Sequence, residues 1–226
     1  MNKSSRCYVT VLVATASVAI ALWPGAGSLF EFSRAALAAG EWWRVVSGQL
    51  THFGLDHLAW DAGVFLVLGA MCERRNRTGT LACLGIATVL IPAAVWLLLP
   101  EMTTYRGLSG LDTALFALLG VMMFGEKWRE GSRGGVAVIV FLLLGMVAKI
   151  AWEFVSGGTI FVDSSSGQFV PVPLAHLVGA AIGLLVGTVC TFLASLGTGR
   201  GLEIDSTPES MATGAAQRAV QVARLV

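Results

Sequence analysis

Six long apolar runs divide this chain and set what it can fold into: Tyr8–Trp23, Leu58–Cys72, Leu81–Leu99, Leu108–Gly125, Gly135–Val155 and Pro173–Leu196. Inside hydrocarbon a backbone must satisfy its own N–H and C=O groups, so each run reads as a helix. Crossing takes about 20 apolar residues, with a range of about 17–25. The first two runs are short and must borrow flanking residues. Only 13% of the 226 residues are charged, against roughly 25% in soluble domains, and the charges fall between the runs. The expected fold class is all-α: a polytopic membrane protein built as a six-transmembrane-helix bundle. Net charge is +1, which gives no reason to expect a nucleic-acid partner; the expected surroundings are the lipid bilayer.

Basic residues orient such a bundle, since Lys and Arg collect on the cytoplasmic side. With the N-terminus inside, the cytoplasmic segments hold Lys3, Arg6, Arg74, Arg75, Arg77, Lys127, Arg129, Arg133, Arg200, Arg218 and Arg224, which is 11 of the 15. The outer segments keep Arg34, Arg44 and Arg106, and Lys149 lies within the fifth run. Both termini are therefore expected in the cytoplasm, with a bacterial inner membrane as the location. Lys3 and Arg6 ahead of an apolar core also fit a cleaved signal peptide. No small-x-small site follows directly, and cleavage would leave five spans.

Residues 1–196 read as one membrane domain and 197–226 as a cytoplasmic tail, disordered or weakly helical over Met211–Leu225. The outer segment from Pro24 to Gly54 alternates apolar residues with charges and glycines, and its paired Trp42 and Trp43 suit the headgroup level. Short interfacial helices are expected there. Ser156–Val172 is a second, Gly- and Ser-rich outer loop ending in Pro171-Val172-Pro173, an extended approach to the last helix. Cys7, Cys72, Cys83 and Cys190 fall toward the reducing side and read as packing residues.

Two runs begin with chemistry. Gly107-Leu108-Ser109-Gly110 heads the fourth, and Ala175-His176 stands near the head of the sixth. A hydroxyl and an imidazole at similar depth are the minimum parts of a nucleophile–base pair. Ser109 lies sixteen residues above Gly125, about 24 Å at 1.5 Å per residue. His57 lies equally far above Glu73, and His176 about 30 Å above Leu196 before any tilt. Gly107 and Gly110 permit a tight approach into the fourth helix, whose unpaired N–H groups would face Ser109's chemistry. Ala175, Gly179, Gly183 and Gly187 recur every fourth residue, and Gly110, Ala114 and Ala117 form a comparable face. Two such stripes let backbones approach closely and bring His176 toward Ser109. Plain helix packing with an incidental histidine would give the same stripe.

His57 and Asp61 are i, i+4 neighbours near the head of the second run and share a face. They are placed to support a developing oxyanion, while His52 and Arg44 read as loop anchors, with Arg106. Lys149 and Glu153, also i, i+4, read as a self-neutralising pair. Asp112, one turn below Ser109, supports the site or serves as a structural acid. No His-Glu-x-x-His is present, and neither a metal nor a cofactor is expected.

These residues together resemble the rhomboid family of intramembrane serine proteases. The likeness covers nearly the whole chain: the six spans, Glu41-Trp42-Trp43-Arg44, His52-x4-His57-x3-Asp61, Gly107-Leu108-Ser109-Gly110, and Ala175-His176-x2-Gly179-x3-Gly183. The resemblance implies Ser109 as nucleophile and His176 as general base, acting as a dyad. It implies oxyanion contacts from His57, the residue at 61 and the Ser109 N–H. Its implied substrates are single-span membrane proteins cut near the outer face. Tyr105–Asp112 and the compact length resemble the rhombosortase branch, which implies trimming of C-terminal Gly-Gly-type membrane anchors from exported proteins. Two positions depart from the family. Asp61 stands where asparagine is usual, and could donate to an oxyanion only when protonated; otherwise it orients His57. Thr113 stands where much of the family packs an aromatic ring.

Three other functions would make different demands on these residues. A metal enzyme using His57, Asp61 and His176 would be inhibited by a chelator. A catalytically silent rhomboid-like protein binding membrane segments would need neither Ser109 nor His176. A transporter would carry charges across the whole span, whereas these cluster at one face.

Overall fold

The computed structural model of the chain describes residues 7–158 and 172–200. Lys3, Arg6, most of the second outer loop and the tail beyond Arg200 lie outside those residues, as does the expected weak helix over 211–225. The chain divides into two units, 1–190 and 191–226. The first holds everything described below apart from the end of the last helix.

Helix α1 covers Tyr8–Leu22, α5 Leu55–Arg75, α6 Arg77–Leu98, α7 Ser109–Arg129, α8 Arg133–Ser156 and α9 Pro173–Arg200. The last five are long and apolar enough to cross a membrane. Helix α1 has 15 residues, about 22 Å of rise, so among the described residues the first of the six expected spans stands as a shorter apolar helix beside five of crossing length. It nonetheless packs along α5. The Glu73 carboxylate accepts from Thr10 N (3.1 Å) and Thr10 Oγ1 (2.9 Å), filling orphan donors at the start of α1. A Cβ at Gly69 would come within 2.7 Å of Thr10, so glycine sets that spacing.

Between α1 and α5 the short helices foreseen from the sequence are present: α2 Ala26–Phe30, α3 Arg34–Ala38 and α4 Arg44–Ser47, followed by a 3₁₀ turn over Gly48–Leu50. A two-residue pairing was not foreseen. β1, Phe32–Ser33, runs antiparallel to β2, Thr104–Tyr105, with Phe32 opposite Tyr105. Two residues carry no readable alternation, so only the folded chain reveals the pair. It ties the α2–α4 segment to the stretch that delivers the chain to Gly107.

Helix ends and interruptions explain several polar residues. Arg34, read only as an outer-face cation, reaches the end of α6. Its guanidinium donates to the carbonyls of Trp96 (2.7 Å), Leu99 (2.8 Å), Val95 (3.0 Å) and Met102 (2.8 Å). These include the carbonyls an α-helix C-terminus leaves without partners. Pro92 lies inside α6 and has no N–H to give to the carbonyl four residues back. That carbonyl belongs to Thr88, and the Gln49 side-chain amide donates to it at 2.8 Å. The donor missing from Pro92 is thus supplied from the 3₁₀ turn.

The tight turn from α5 to α6 is capped by Asn76, whose Oδ1 accepts from Gly79 N at 2.8 Å. Helix α7 forms the centre, flanked by α5, α6 and α8. Its small-residue face receives α9 as the sequence spacing anticipates. A Cβ on Gly179 would sit 2.1 Å from the Gly110 carbonyl oxygen, and one on Gly183 2.1 Å from that of Ala114. Only glycine lets these backbones meet. The core runs along α7 through Leu108, Leu111, Leu115 and Leu118, packed with Phe65, Ile91 and Ala175. Cys72 and Cys83 lie in it and donate to the carbonyls of Leu115 and Ala114.

Candidate active site

Helices α5, α7 and α9 begin at the same end of the bundle where α8 finishes, so first turns and a last turn surround one space. A cavity of about 740 Å³ lies there, lined by His57 and Asp61 of α5, Ser109, Asp112 and Thr113 of α7, Lys149 and Glu153 of α8, and His176 of α9. Ser109 and His176, far apart in sequence, line the same space. Its remaining walls are apolar, among them Trp60 and Val64 on α5 and Phe141, Met146 and Trp152 on α8.

Ser109 is the first residue of α7, so its N–H belongs to those without an intrahelical partner. The chain reaches it through Gly107, whose φ of +119° is one that side-chain-bearing residues rarely adopt. A Cβ at Gly107 would also come within 3.0 Å of His57 Nε2 and 3.2 Å of Asp61 Oδ2. Glycine is therefore required twice, for the turn and for the approach to α5. Tyr105 braces the same turn, donating from its hydroxyl to the Gly107 carbonyl at 3.4 Å. Burial, with the Asp61 and Asp112 charges adding to it, pushes the Tyr105 phenol up, so it stays a donor throughout the physiological range. Thr113 Oγ1 donates to the Ser109 carbonyl at 2.8 Å. A hydroxyl engaged with the serine's own backbone thus occupies the position where an aromatic ring was looked for.

Asp61 gathers both histidines of the second motif. Its Oδ2 lies 3.1 Å from His57 Nε2 and 3.3 Å from His52 Nε2, all three side chains being nearly fully buried. The two imidazoles meet edge to face with centroids 5.0 Å apart, and Phe53 stacks on His57 at 6.1 Å. His52, expected as a loop anchor, thus holds the approach segment onto α5 through Asp61. Arg44, the other expected anchor, is buried and donates to the Glu41 carboxylate (2.6 Å) and to the carbonyls of Ser28 (2.8 Å) and Glu31 (3.1 Å). Arg106 pairs with Glu31 at 2.8 Å and lies over the Phe53 ring.

One contact escaped the sequence. Glu153 forms the expected pair with Lys149, Nζ to Oε1 at 2.5 Å, but its other oxygen, Oε2, lies 2.6 Å from His176 Nδ1. The Glu153 side chain is 1% exposed. A buried carboxylate in a span is expensive and calls for more than one partner; that cost was the available signal. The i, i+4 lysine offered a sufficient explanation and concealed the second partner. Asp112 is buried, and its Oδ1 has no hydrogen-bond partner among the described residues.

The family model for the Rhomboid domain matches residues 39–192. The chain is also 24% identical over 158 residues to "Putative rhomboid protease YdcA" of Bacillus subtilis (strain 168), a match covering 68% of this chain and 70% of that protein.

Proposed function

The chain belongs to the rhomboid family, and from that premise we propose that it is an intramembrane serine endopeptidase using Ser109 as nucleophile and His176 as general base. One observation carries the proposal: Ser109, at the head of α7, and His176, near the head of α9, line a single cavity with His57 and Asp61. In the proposed reaction His176 Nε2 takes the Ser109 hydroxyl proton as Oγ attacks the scissile carbonyl carbon. The resulting oxyanion is met by the Ser109 N–H and the positive end of α7, with His57 beside it. Collapse breaks the C–N bond, and His176 returns its proton to the leaving amine. Water then attacks the acyl-enzyme by the same base and frees Ser109.

Asp61 acts as the acceptor that holds His57 and His52 in place; two imidazole nitrogens converging on one carboxylate oxygen support that role over donation to the oxyanion. The apolar walls contributed by α5 and α8 suit a membrane-spanning segment as substrate. Basic residues collected at the far end of the bundle support a site near the outer face, with six crossings and both termini in the cytoplasm. The Glu73 carboxylate engaged with Thr10 supports a first helix retained in the mature protein. By resemblance of Tyr105–Asp112 to rhombosortases, the substrate class is an exported protein with a Gly-Gly-type C-terminal membrane anchor. A catalytically silent segment-binding protein is disfavoured, since it would need neither Ser109 nor His176.

Proteoliposomes holding the full chain and a reporter with Gly-Gly at the outer end of one span test the proposal. The wild type cleaves the reporter there, whereas Ser109→Ala and His176→Ala leave it whole. Equal cleavage by Ser109→Ala sinks it.

A further inference from the structure

We propose that Glu153 is a positioning residue for His176, so that the working unit is a Ser109–His176–Glu153 triad with Lys149 steadying the carboxylate. The inference rests on the serine-protease assignment and deepens it.

Geometry supports it first. His176 Nδ1 and Glu153 Oε2 are 2.6 Å apart, a distance typical of a charge-assisted hydrogen bond. A carboxylate only accepts, so the proton between them sits on Nδ1. The neutral ring then keeps its lone pair on Nε2, the tautomer a general base needs to accept the serine proton. When that proton arrives, the imidazolium finds an anion already in contact, on a carboxylate that is 1% exposed.

The second support is the arrangement around the carboxylate. Glu153 is held from its other oxygen by Lys149 Nζ, at 2.5 Å. One oxygen is thereby committed to the ammonium and one to the ring, which fixes the carboxylate's rotation. Lysine, with 27% of its side chain exposed, carries the excess charge toward the edge of the cavity. The charges of Lys149 and Glu153 cancel at rest, so transferring a proton from Ser109 to His176 creates one new pair of opposite charges and no net charge. The two helices involved are α8 and α9, and the carboxylate is therefore also the element that sets the ring of α9 from α8.

A purely structural tie between α8 and α9 would predict something different. It would lower stability when removed, with reactivity of the remaining folded protein unchanged. The test is the kinetics of a fluorophosphonate probe on the full chain in detergent, where Ser109 Oγ bonds to phosphorus, fluoride leaves and His176 takes the proton. Saturation kinetics separate reversible probe binding from the rate of bond formation. Glu153→Gln keeps the shape, but its amide donates as readily as it accepts and no longer fixes the tautomer. The maximal rate should fall at least about tenfold with probe binding unchanged. Glu153→Asp, which keeps the anion, should recover at least half of that loss on a logarithmic scale.

A smaller loss in Glu153→Gln, or an aspartate variant no faster than the glutamine one, overturns the proposal. If the glutamine variant does not fold, ¹⁵N spectra of the unmodified protein decide, since its three histidines can be assigned with His176→Gln. A neutral His176 protonated on Nδ1 upholds the triad, and one protonated on Nε2 overturns it. Failure here is separable from failure of the protease assignment. Wild type labelled at Ser109 with Glu153→Gln equally fast removes only the triad, whereas labelling that survives Ser109→Ala removes both.

Discussion

Asp61 shows how much one side chain determines in a buried polar site. The family's usual asparagine offers a single acceptor oxygen and two donors, whereas this carboxylate has two imidazole nitrogens facing one oxygen at 3.1 and 3.3 Å. Asp61→Asn keeps an acceptor for one ring and places an N–H₂ near the other, so the fold should survive with cleavage retained. Asp61→Ala leaves two buried imidazoles without their partner, costing about 1–3 kcal/mol. Thermal unfolding in detergent should show that loss in the alanine variant and little of it in the asparagine variant. The site residues were legible to unequal degrees for a physical reason. Gly107, Ser109, His57 and Asp61 sit on short spacings whose geometry a helix fixes. Glu153 and His176 are 23 residues apart on different helices, so only the rotation of α8 against α9 brings them together.

At the scale of elements, polar groups from loops repair what the helices lack. Pro92 frees the Thr88 carbonyl, and Gln49 covers it from a turn 39 residues earlier. Gln49→Leu keeps the volume roughly but orphans that carbonyl, and should cost about 1–3 kcal/mol by thermal unfolding. The long helices could be read from their runs: α5 extends its run with polar residues at both ends, whereas α1, Tyr8–Leu22, borrows none. The α7–α9 approach was legible too, because a four-residue glycine spacing admits few other uses in a span. Gly179→Val tests it. The side chain would strike the Gly110 carbonyl, where a Cβ alone already comes within 2.1 Å. Separating the helices should cost about 1–3 kcal/mol or more and should abolish cleavage by moving His176. The β1–β2 pair and the Arg34 cap stayed hidden because each depends on chain returning from about 70 residues away, which local pattern does not encode.

For the whole molecule, the consequence is a polar site walled by apolar side chains at one end of a membrane bundle. Under the proposed function, a substrate helix arriving there has its carbonyls engaged, so the scissile stretch would have to unwind before attack by Ser109. Glycine lowers the cost of unwinding by about 1 kcal/mol per residue relative to alanine. Placing two glycines near the site end of a reporter span should therefore raise its cleavage rate by about tenfold or more, with leucine in the same places lowering it. Equal rates for both reporters in proteoliposomes would mean that unwinding does not limit the reaction.

The central claim, that Ser109 is a nucleophile activated by His176, is tested most directly by locating the covalent adduct of a fluorophosphonate by mass spectrometry. The adduct should map to Ser109 in the wild type and be missing from Ser109→Ala and His176→Ala proteins that remain folded. An adduct on another residue, or undiminished labelling of either variant, would contradict the account.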